Sequence, residues 1–143
     1  MIFIDLLFLL AATSFIPHAL ADFHIATTET FDNSGLIATY RMQACPSNYY
    51  NCECFGNGDR EGSFGDVNYW GDFTMDAGFC GMGKMDFYPD GDALINFYIS
   101  GGDGTAIGYC TPNTGDSLNC WTGPADGTVT VFDEWYCHSY VCN

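Results

Sequence analysis

The chain contains eight cysteines, and all of them follow residue 44. They are Cys45, Cys52, Cys54, Cys80, Cys110, Cys120, Cys137 and Cys142. An even number of cysteines in a short chain behind an apolar leader predicts a disulfide framework that forms in an oxidising compartment. The sequence leaves the pairing open. Because Cys52 and Cys54 are separated by a single residue, we expect them to reach different partners.

An apolar leader precedes the cysteines. Residues 2–16 are apolar except for Asp5 and two small polar residues, and Ala19-Leu20-Ala21 has the small-x-small pattern that signal peptidase accepts. The run is shorter than the roughly 20 residues that a membrane span needs. We therefore expect a signal peptide over residues 1–21, with a membrane anchor or a buried helix as the alternative. The protein would then be secreted, starting at Asp22, and would not associate with a membrane.

Residues 22–143 have the length of one domain, and their pattern is β. Short segments rich in β-branched and aromatic residues alternate with turns rich in Gly, Asn and Asp. Strands are predicted over 23–31, 36–42, 84–88, 93–99, 105–110, 128–132 and 135–141, and a single helical turn over 49–55. We predict a single mainly β domain, an antiparallel β-sandwich or small β-barrel stapled by disulfides. The segment from 84 to 110 is expected to form a three-stranded meander at its centre.

The chain is strongly acidic. The sequence has 18 Asp and Glu residues and three Lys and Arg residues, which gives a formal net charge of −15. Such a surface repels phosphate backbones and anionic lipids, so nucleic-acid binding, ribonuclease action and killing through anionic membranes are disfavoured. Solubility in an acidic external medium explains the charge, and a cationic peptide or protein partner is the alternative. We expect a monomer.

One segment resembles a cation-binding loop. Asn57, Asp59, Glu61 and Gly62 match the first half of a calcium loop, but Asn68 stands where the bidentate carboxylate is required. A turn rich in Asn, Gly and Asp explains the same residues. The Cys-x-Cys spacing also differs from that of structural zinc sites. We expect no metal and no cofactor.

The sequence offers few catalytic candidates. His24 and His138 are the only histidines after the leader, one near each end, and they could act as an acid–base pair if the termini meet. No nucleophile motif accompanies them, and the cysteines are committed to disulfides. The acids that lie closest to aromatic residues or cysteines in the sequence are Glu53, Glu61, Asp86 and Glu134. Exposed acids on a solvated surface are the alternative, and we assign no catalytic residue.

Two segments suggest an enzymatic alternative. Tyr69-Trp70-Gly71-Asp72-Phe73 and Phe79-Cys80-Gly81-Met82-Gly83 resemble segments of expansins and double-psi-barrel endoglucanases. The resemblance implies a protein that acts on cell-wall polysaccharide, with Asp72 or Asp76 as the acid. A disulfide next to a tight glycine turn explains the second segment equally well.

A broader resemblance covers nearly all of the chain after the leader. The matching segments are Asp22-Phe23-His24-Ile25, 44–52, 58–60, Cys80-Gly81-Met82-Gly83, Asp86-Phe87-Tyr88, Gly102-Asp103-Gly104-Thr105 and the closing Cys-x4-Cys-Asn. In these segments the chain resembles small secreted cysteine-rich proteins of filamentous fungi. The resemblance implies secretion, a compact disulfide fold and an effector-like role, but no assigned activity.

The leading hypothesis is therefore a secreted, effector-like, non-enzymatic protein that binds an extracellular glycan or protein. An extracellular polysaccharide-acting hydrolase or an expansin-like protein is the alternative, followed by an antimicrobial or killer toxin. The candidate contact residues are aromatic: Tyr69, Trp70, Trp121 and Trp135, with Tyr49 and Tyr50. Each could instead pack in the core. An exposed coplanar set would favour carbohydrate stacking.

Overall fold

The computed structural model describes residues 22–31, 34, 38–56, 65–68, 72–91, 93–115, 117–123 and 127–142. The strands are β1 Phe23–Phe31, β2 Ala38–Pro46, β3 Gly65–Asn68, β4 Phe73–Met75, β5 Met85–Pro89, β6 Ile95–Ile99, β7 Ala106–Pro112, β8 Leu118–Gly123 and β9 Gly127–Ser139. A short helix, α1, covers Cys52–Gly56, and 3-10 turns cover Ser47–Tyr49 and Phe79–Gly81. The predicted leader and the calcium-like turn lie outside the described residues.

All strand pairs are antiparallel, and the pairing returns on itself. The order is β1-β2-β3-β4-β5-β6-β7-β9-β8, and β1 also pairs with β9. Eight strands thus form a hydrogen-bonded circuit, because β9 joins β7 at one end of the series to β1 at the other. Strand β8 pairs with the first half of β9, beside the circuit. The prediction of a mainly β, antiparallel, barrel-like domain is confirmed.

The core lies inside this curled sheet. Alternate residues of each strand point inward because successive side chains of a strand lie on opposite faces. Phe87 stacks between Phe73 and Phe97, with ring centroids 4.7 and 4.9 Å away, and Phe23 meets the edge of Phe97 at 5.5 Å. These four rings connect β4, β5 and β6 to β1, so they pack the middle of the strand series against its first strand.

The predicted meander is present as β5, β6 and β7. The β5–β6 turn places Gly91 at φ 70° and is closed by the Asp90 amide, which donates to the Leu94 carbonyl at 2.7 Å. The β6–β7 turn uses Gly101 and Gly104 at φ 72° and 85°. Glycine adopts these left-handed conformations without strain, which is why its positions predicted the turns.

The two strands predicted last are a single strand of 13 residues, β9. Its pairing with β1 shifts by one residue: Trp135 is opposite Ile25, whereas Asp133 is opposite Ala26. Glu134 is therefore the extra residue of a β-bulge. The bulge reverses the inside–outside alternation along β9, and this reversal shapes the surface described below.

All eight cysteines form disulfides, as predicted. The pairs are Cys45–Cys54, Cys52–Cys120, Cys80–Cys142 and Cys110–Cys137. Cys52 and Cys54 reach different partners, which confirms the expectation from their spacing. Cys110 and Cys137 lie directly opposite each other on β7 and β9 and are fully buried in the core. Each disulfide is expected to contribute about 2–4 kcal/mol to stability.

Candidate functional site

Four neighbouring strands, β2-β1-β9-β8, carry a second apolar cluster on the outer side of the sheet. Helix α1 packs there through Cys54 and Phe55. Each of the four strands supplies a buried residue beneath it: Cys45 from β2, Ala26 from β1, Val129 and Val131 from β9, and Cys120 from β8. We call the four strands the platform and this covered side its back.

The opposite side of the platform is its front face. Its residues alternate with those of the back, because strand side chains point to the two faces in turn. The strand register places them in two rows across the platform, Tyr40–Glu29–Thr130–Asn119 and Ala38–Phe31–Thr128–Trp121, with Thr27 opposite Phe132 nearer the core. Two hydrogen bonds confirm the register: the Tyr40 hydroxyl donates to Glu29 Oε1 at 2.5 Å, and Thr130 Oγ1 donates to Asn119 Oδ1 at 3.2 Å.

The front face displays large aromatic rings to solvent. Trp121 is 72% exposed, Tyr40 64% and Phe132 41%. Phe31, on β1 in the same row as Trp121, is half-buried. Adjacent strands lie about 4.8 Å apart, so Tyr40 on β2 and Trp121 on β8 are separated by about 14 Å across the platform. The hydrogen-bonding side chains of Glu29 and Thr130 lie on the two strands between, and Asn119 lies two residues before Trp121 on β8.

The front face carries little charge of its own. Among the front-face residues named above, Glu29 is the one carboxylate, and none is cationic. The hydrogen bond from Tyr40 to Glu29 raises the pKa of the Tyr40 hydroxyl, because the carboxylate accepts the proton that ionisation would remove. The phenol therefore stays neutral at physiological pH. An anionic ligand would meet Glu29, with no cation among these front-face residues to offset it, on a chain of net charge −15.

The structure separates the predicted contact residues. Trp121 lies on the front face, whereas Trp135 is half-buried and packs against the core. Tyr49 and Tyr50 pack against the cluster at the back. Tyr69 and Trp70 lie outside the described residues. Sequence reasoning missed Phe31, Tyr40 and Phe132, whose common face depends on the pairing of strands that are distant in the chain.

A polar network lies on the outer side of the sheet, next to the platform. His24 Nδ1 is 2.7 Å from Asp133 Oδ2, and Asn113 Nδ2 donates to the same oxygen at 2.6 Å. The Tyr136 hydroxyl donates to Asp22 Oδ2 at 2.7 Å, and the imidazole of His138 lies 3.6 Å from that oxygen. Two carboxylates at the start of β1 and within β9 thus hold the first and last strands together.

His24 and His138 lie on the same surface, as an acid–base pair would require. They do not contact each other through their rings, because the ring of Tyr136 lies between them. Its ring contacts His24 and His138 edge-on, with centroids 4.8 and 4.9 Å away. Tyr50 also packs against His24, at 4.3 Å, and Tyr109 against His138, at 4.9 Å. Each imidazole therefore has its own carboxylate and its own tyrosine. This arrangement fixes the side chains and joins the first strand to the last.

Tyr136 provides a pH-dependent test of this network. Its hydrogen bond to Asp22, together with desolvation, raises the pKa of the hydroxyl above 10.0. A raised pKa in the folded state means that the contribution to stability is complete below pH 10 and is lost as pH rises through the folded pKa. We expect Tyr136→Phe to lower the free energy of unfolding by about 1–2 kcal/mol near neutral pH and to lose less stability than wild type at alkaline pH.

Urea unfolding at a series of pH values measures both effects. Tyr140→Phe is the matched control, since Tyr140 is an exposed tyrosine adjacent to the end of β9. Equal stability of Tyr136→Phe and wild type at neutral pH would show that the hydrogen bond to Asp22 contributes nothing.

The remaining acids do not form a cluster in the described parts of the chain. Asp72 and Asp76 are exposed, and Glu53 accepts a hydrogen bond from the Tyr49 hydroxyl at 2.6 Å. Asp86 is half-buried and Glu134 is exposed at the bulge, while Glu61 lies outside the described residues. Within the described ranges, no group of three or more His, Cys, Asp or Glu side chains is placed to hold a metal ion. No helix in those ranges is long and apolar enough to cross a membrane.

The front face brings three exposed aromatic rings and several hydrogen-bonding groups together on one side of the sheet. The chain matches no family model, no curated protein and no solved structure.

Proposed function

We propose that this protein is a secreted, effector-like, non-enzymatic binding protein that holds a neutral extracellular carbohydrate on the front face of its platform. The observation that carries the proposal is the display of Trp121, Tyr40 and Phe132 on one face of a sheet, interleaved with Glu29, Thr130 and Asn119. The rings are on adjacent or nearby strands of one sheet, so their relative positions are set before a ligand arrives.

The chemistry of this face suits a sugar chain. A pyranose ring has C–H groups that pack against an aromatic ring, and hydroxyl groups at its edge that exchange hydrogen bonds with carboxylate, amide and hydroxyl side chains. The strands that carry Tyr40 and Trp121 lie about 14 Å apart, a spacing that fits an extended oligosaccharide better than a single sugar. The acidic chain and the single carboxylate of the face favour a neutral polysaccharide over an anionic one.

The proposed location follows from the disulfides. Four disulfides in a chain of 143 residues are typical of proteins that mature in an oxidising compartment and act outside the cell. The leader over residues 1–21 and the resemblance to small secreted fungal proteins support the same location. An effector-like role follows if the bound carbohydrate belongs to a cell wall.

Replacing Trp121 with alanine tests the proposal. Hot-spot aromatic residues contribute about 2 kcal/mol or more to an interface, so Trp121→Ala is expected to weaken binding at least about tenfold. Binding is measured as depletion of purified protein by insoluble cellulose, chitin and xylan, with polygalacturonic acid as the anionic comparison. Wild type is expected to bind at least one neutral polymer and not the anionic one.

Tyr88→Ala is the matched control, because Tyr88 is an exposed ring that contacts Tyr98 on the β5–β6 pair, away from the platform. It is expected to bind as wild type does. Equal retention of Trp121→Ala and wild type on every polymer would overturn the proposal. Release of reducing sugars would favour the hydrolase alternative, and binding to a cationic peptide with no binding to polysaccharide would favour a protein partner.

A further inference from the structure

We propose that helix α1 is a covalent cross-brace that sets the shape of the front face, and that the Cys52–Cys120 disulfide positions Trp121 for its ligand. The consequence for binding rests on the function proposed above. The bracing itself concerns the scaffold and can be tested without a ligand.

The connectivity of α1 is the first argument. Cys54 is bonded to Cys45 on β2, and Cys52 is bonded to Cys120 on β8. Strands β2 and β8 are the two outer strands of the platform, with β1 and β9 between them. A helix of five residues is therefore bonded to the two outer strands of the platform, across its back.

The location of Trp121 is the second argument. Trp121 follows Cys120 directly on β8, so one side chain points to the back and the other to the front. Cys120 is 2% exposed beneath α1, whereas Trp121 is 72% exposed. The disulfide therefore attaches the strand at the residue next to the most exposed ring of the front face.

Sheet twist gives the brace its physical effect. Neighbouring strands are rotated by about 20–25° relative to each other, so three steps from β2 to β8 accumulate about 60–75°. The angle between the rings of Tyr40 and Trp121 depends on this sum. A rigid link between the two outer strands fixes it, and a ligand that stacks on both rings then meets a surface that is already arranged.

The disulfides also differ in exposure. Cys52 is exposed, whereas Cys80 is half-buried and its partner Cys142 is 7% exposed. Cys45 and Cys54 are 0% and 3% exposed, and Cys110 and Cys137 are fully buried. A thiol reductant therefore reaches the β8 end of the brace before it reaches the β2 end or the core disulfide.

The test compares two paired substitutions. Cys52→Ala with Cys120→Ala removes the β8 end of the brace. Cys80→Ala with Cys142→Ala is the matched control, because it removes a disulfide of similar sequence separation, 62 against 68 residues, at a different place in the fold. Similar separations mean similar losses of stability through the unfolded chain. Each variant is assayed by amide hydrogen exchange and by binding to the polysaccharide that wild type retains.

We expect faster exchange of the β8 amides and at least about tenfold weaker binding for the Cys52/Cys120 variant. For the Cys80/Cys142 variant, β8 exchange and affinity are expected to stay within about twofold of wild type. Unchanged β8 exchange and unchanged affinity in the Cys52/Cys120 variant would overturn the brace. If wild type binds no polysaccharide, the proposed function is wrong. The rate of β8 amide exchange in the Cys52/Cys120 variant then tests the bracing role of α1 by itself.

Folding of the paired variants is not essential to the test. Brief treatment of the folded wild-type protein with a thiol, followed by alkylation, is expected to label Cys52 and Cys120 first and to produce the same acceleration of β8 exchange. Initial labelling of any of the other three pairs would contradict the assigned order of exposure.

Discussion

Replacing Phe97 with alanine is expected to lower the free energy of unfolding by about 3–5 kcal/mol. Phe97 is fully buried, stacks on Phe87 at 4.9 Å and contacts the edge of Phe23 at 5.5 Å. It thereby connects the meander to the first strand of the circuit. Removing the ring leaves a cavity between the meander and β1, and the disulfides prevent a full collapse around it. Urea unfolding monitored by near-ultraviolet circular dichroism measures the loss.

Tyr98→Ala is the control for this substitution. Tyr98 is the next residue on β6, half-buried on the outer side and in contact with Tyr88 at 5.7 Å. Its replacement is expected to cost less than about 1.5 kcal/mol. Equal losses for the two variants would contradict the inside–outside assignment of β6.

Gly108→Ala is expected to destabilise the protein by about 2–3 kcal/mol or more. A Cβ atom at this position would lie 2.4 Å from Phe97 Cζ and 2.5 Å from the carbonyl oxygen of His138. The carbonyl belongs to β9, which is paired with β7 at this point, with Ser139 opposite Gly108. Relief of the contact therefore requires a shift of a paired strand as well as of a core ring. Thermal and urea unfolding of the purified variant measure the effect.

Gly83→Ala is the matched control, since a Cβ at Gly83 would meet nothing within 4 Å and its φ lies outside the left-handed region. We expect it to unfold within about 0.5 kcal/mol of wild type. A Gly108→Ala variant as stable as wild type would show that β6, β7 and β9 pack less closely than the structure has them.

The parts of the fold that were predicted from the sequence have local causes. Strand β1 and the β5–β6–β7 meander follow from β-branched and aromatic runs that are separated by Gly, Asp and Pro turns. The disulfide framework follows from the cysteine count. Strands β3, β4 and β8 were not predicted, because they are only three to six residues long and β3 and β8 contain Gly, Asp, Asn or Cys. Their formation depends on the strands beside them.

The front face could not be predicted because it depends on one extra residue. Counting back from Cys137 in the core, strict alternation would place Asp133 inside and Phe132 outside. The bulge at Glu134 exchanges them, so that Phe132 joins the front face and Asp133 reaches His24. Trp135, which stood among the predicted contact residues, follows the bulge, points inward like Cys137 and packs half-buried against the core. No local pattern in the sequence marks the position of the bulge.

A nuclear magnetic resonance titration of the labelled protein with a soluble oligosaccharide of the retained polymer tests the carbohydrate-binding face most directly. We expect chemical-shift changes at Trp121, Tyr40 and Phe132 and at the amides of Asn119 and Thr130, with Tyr88 and Tyr140 unchanged. Shift changes that centre instead on the outer network around His24, Tyr136 and His138, with the front face unaffected, would contradict the account.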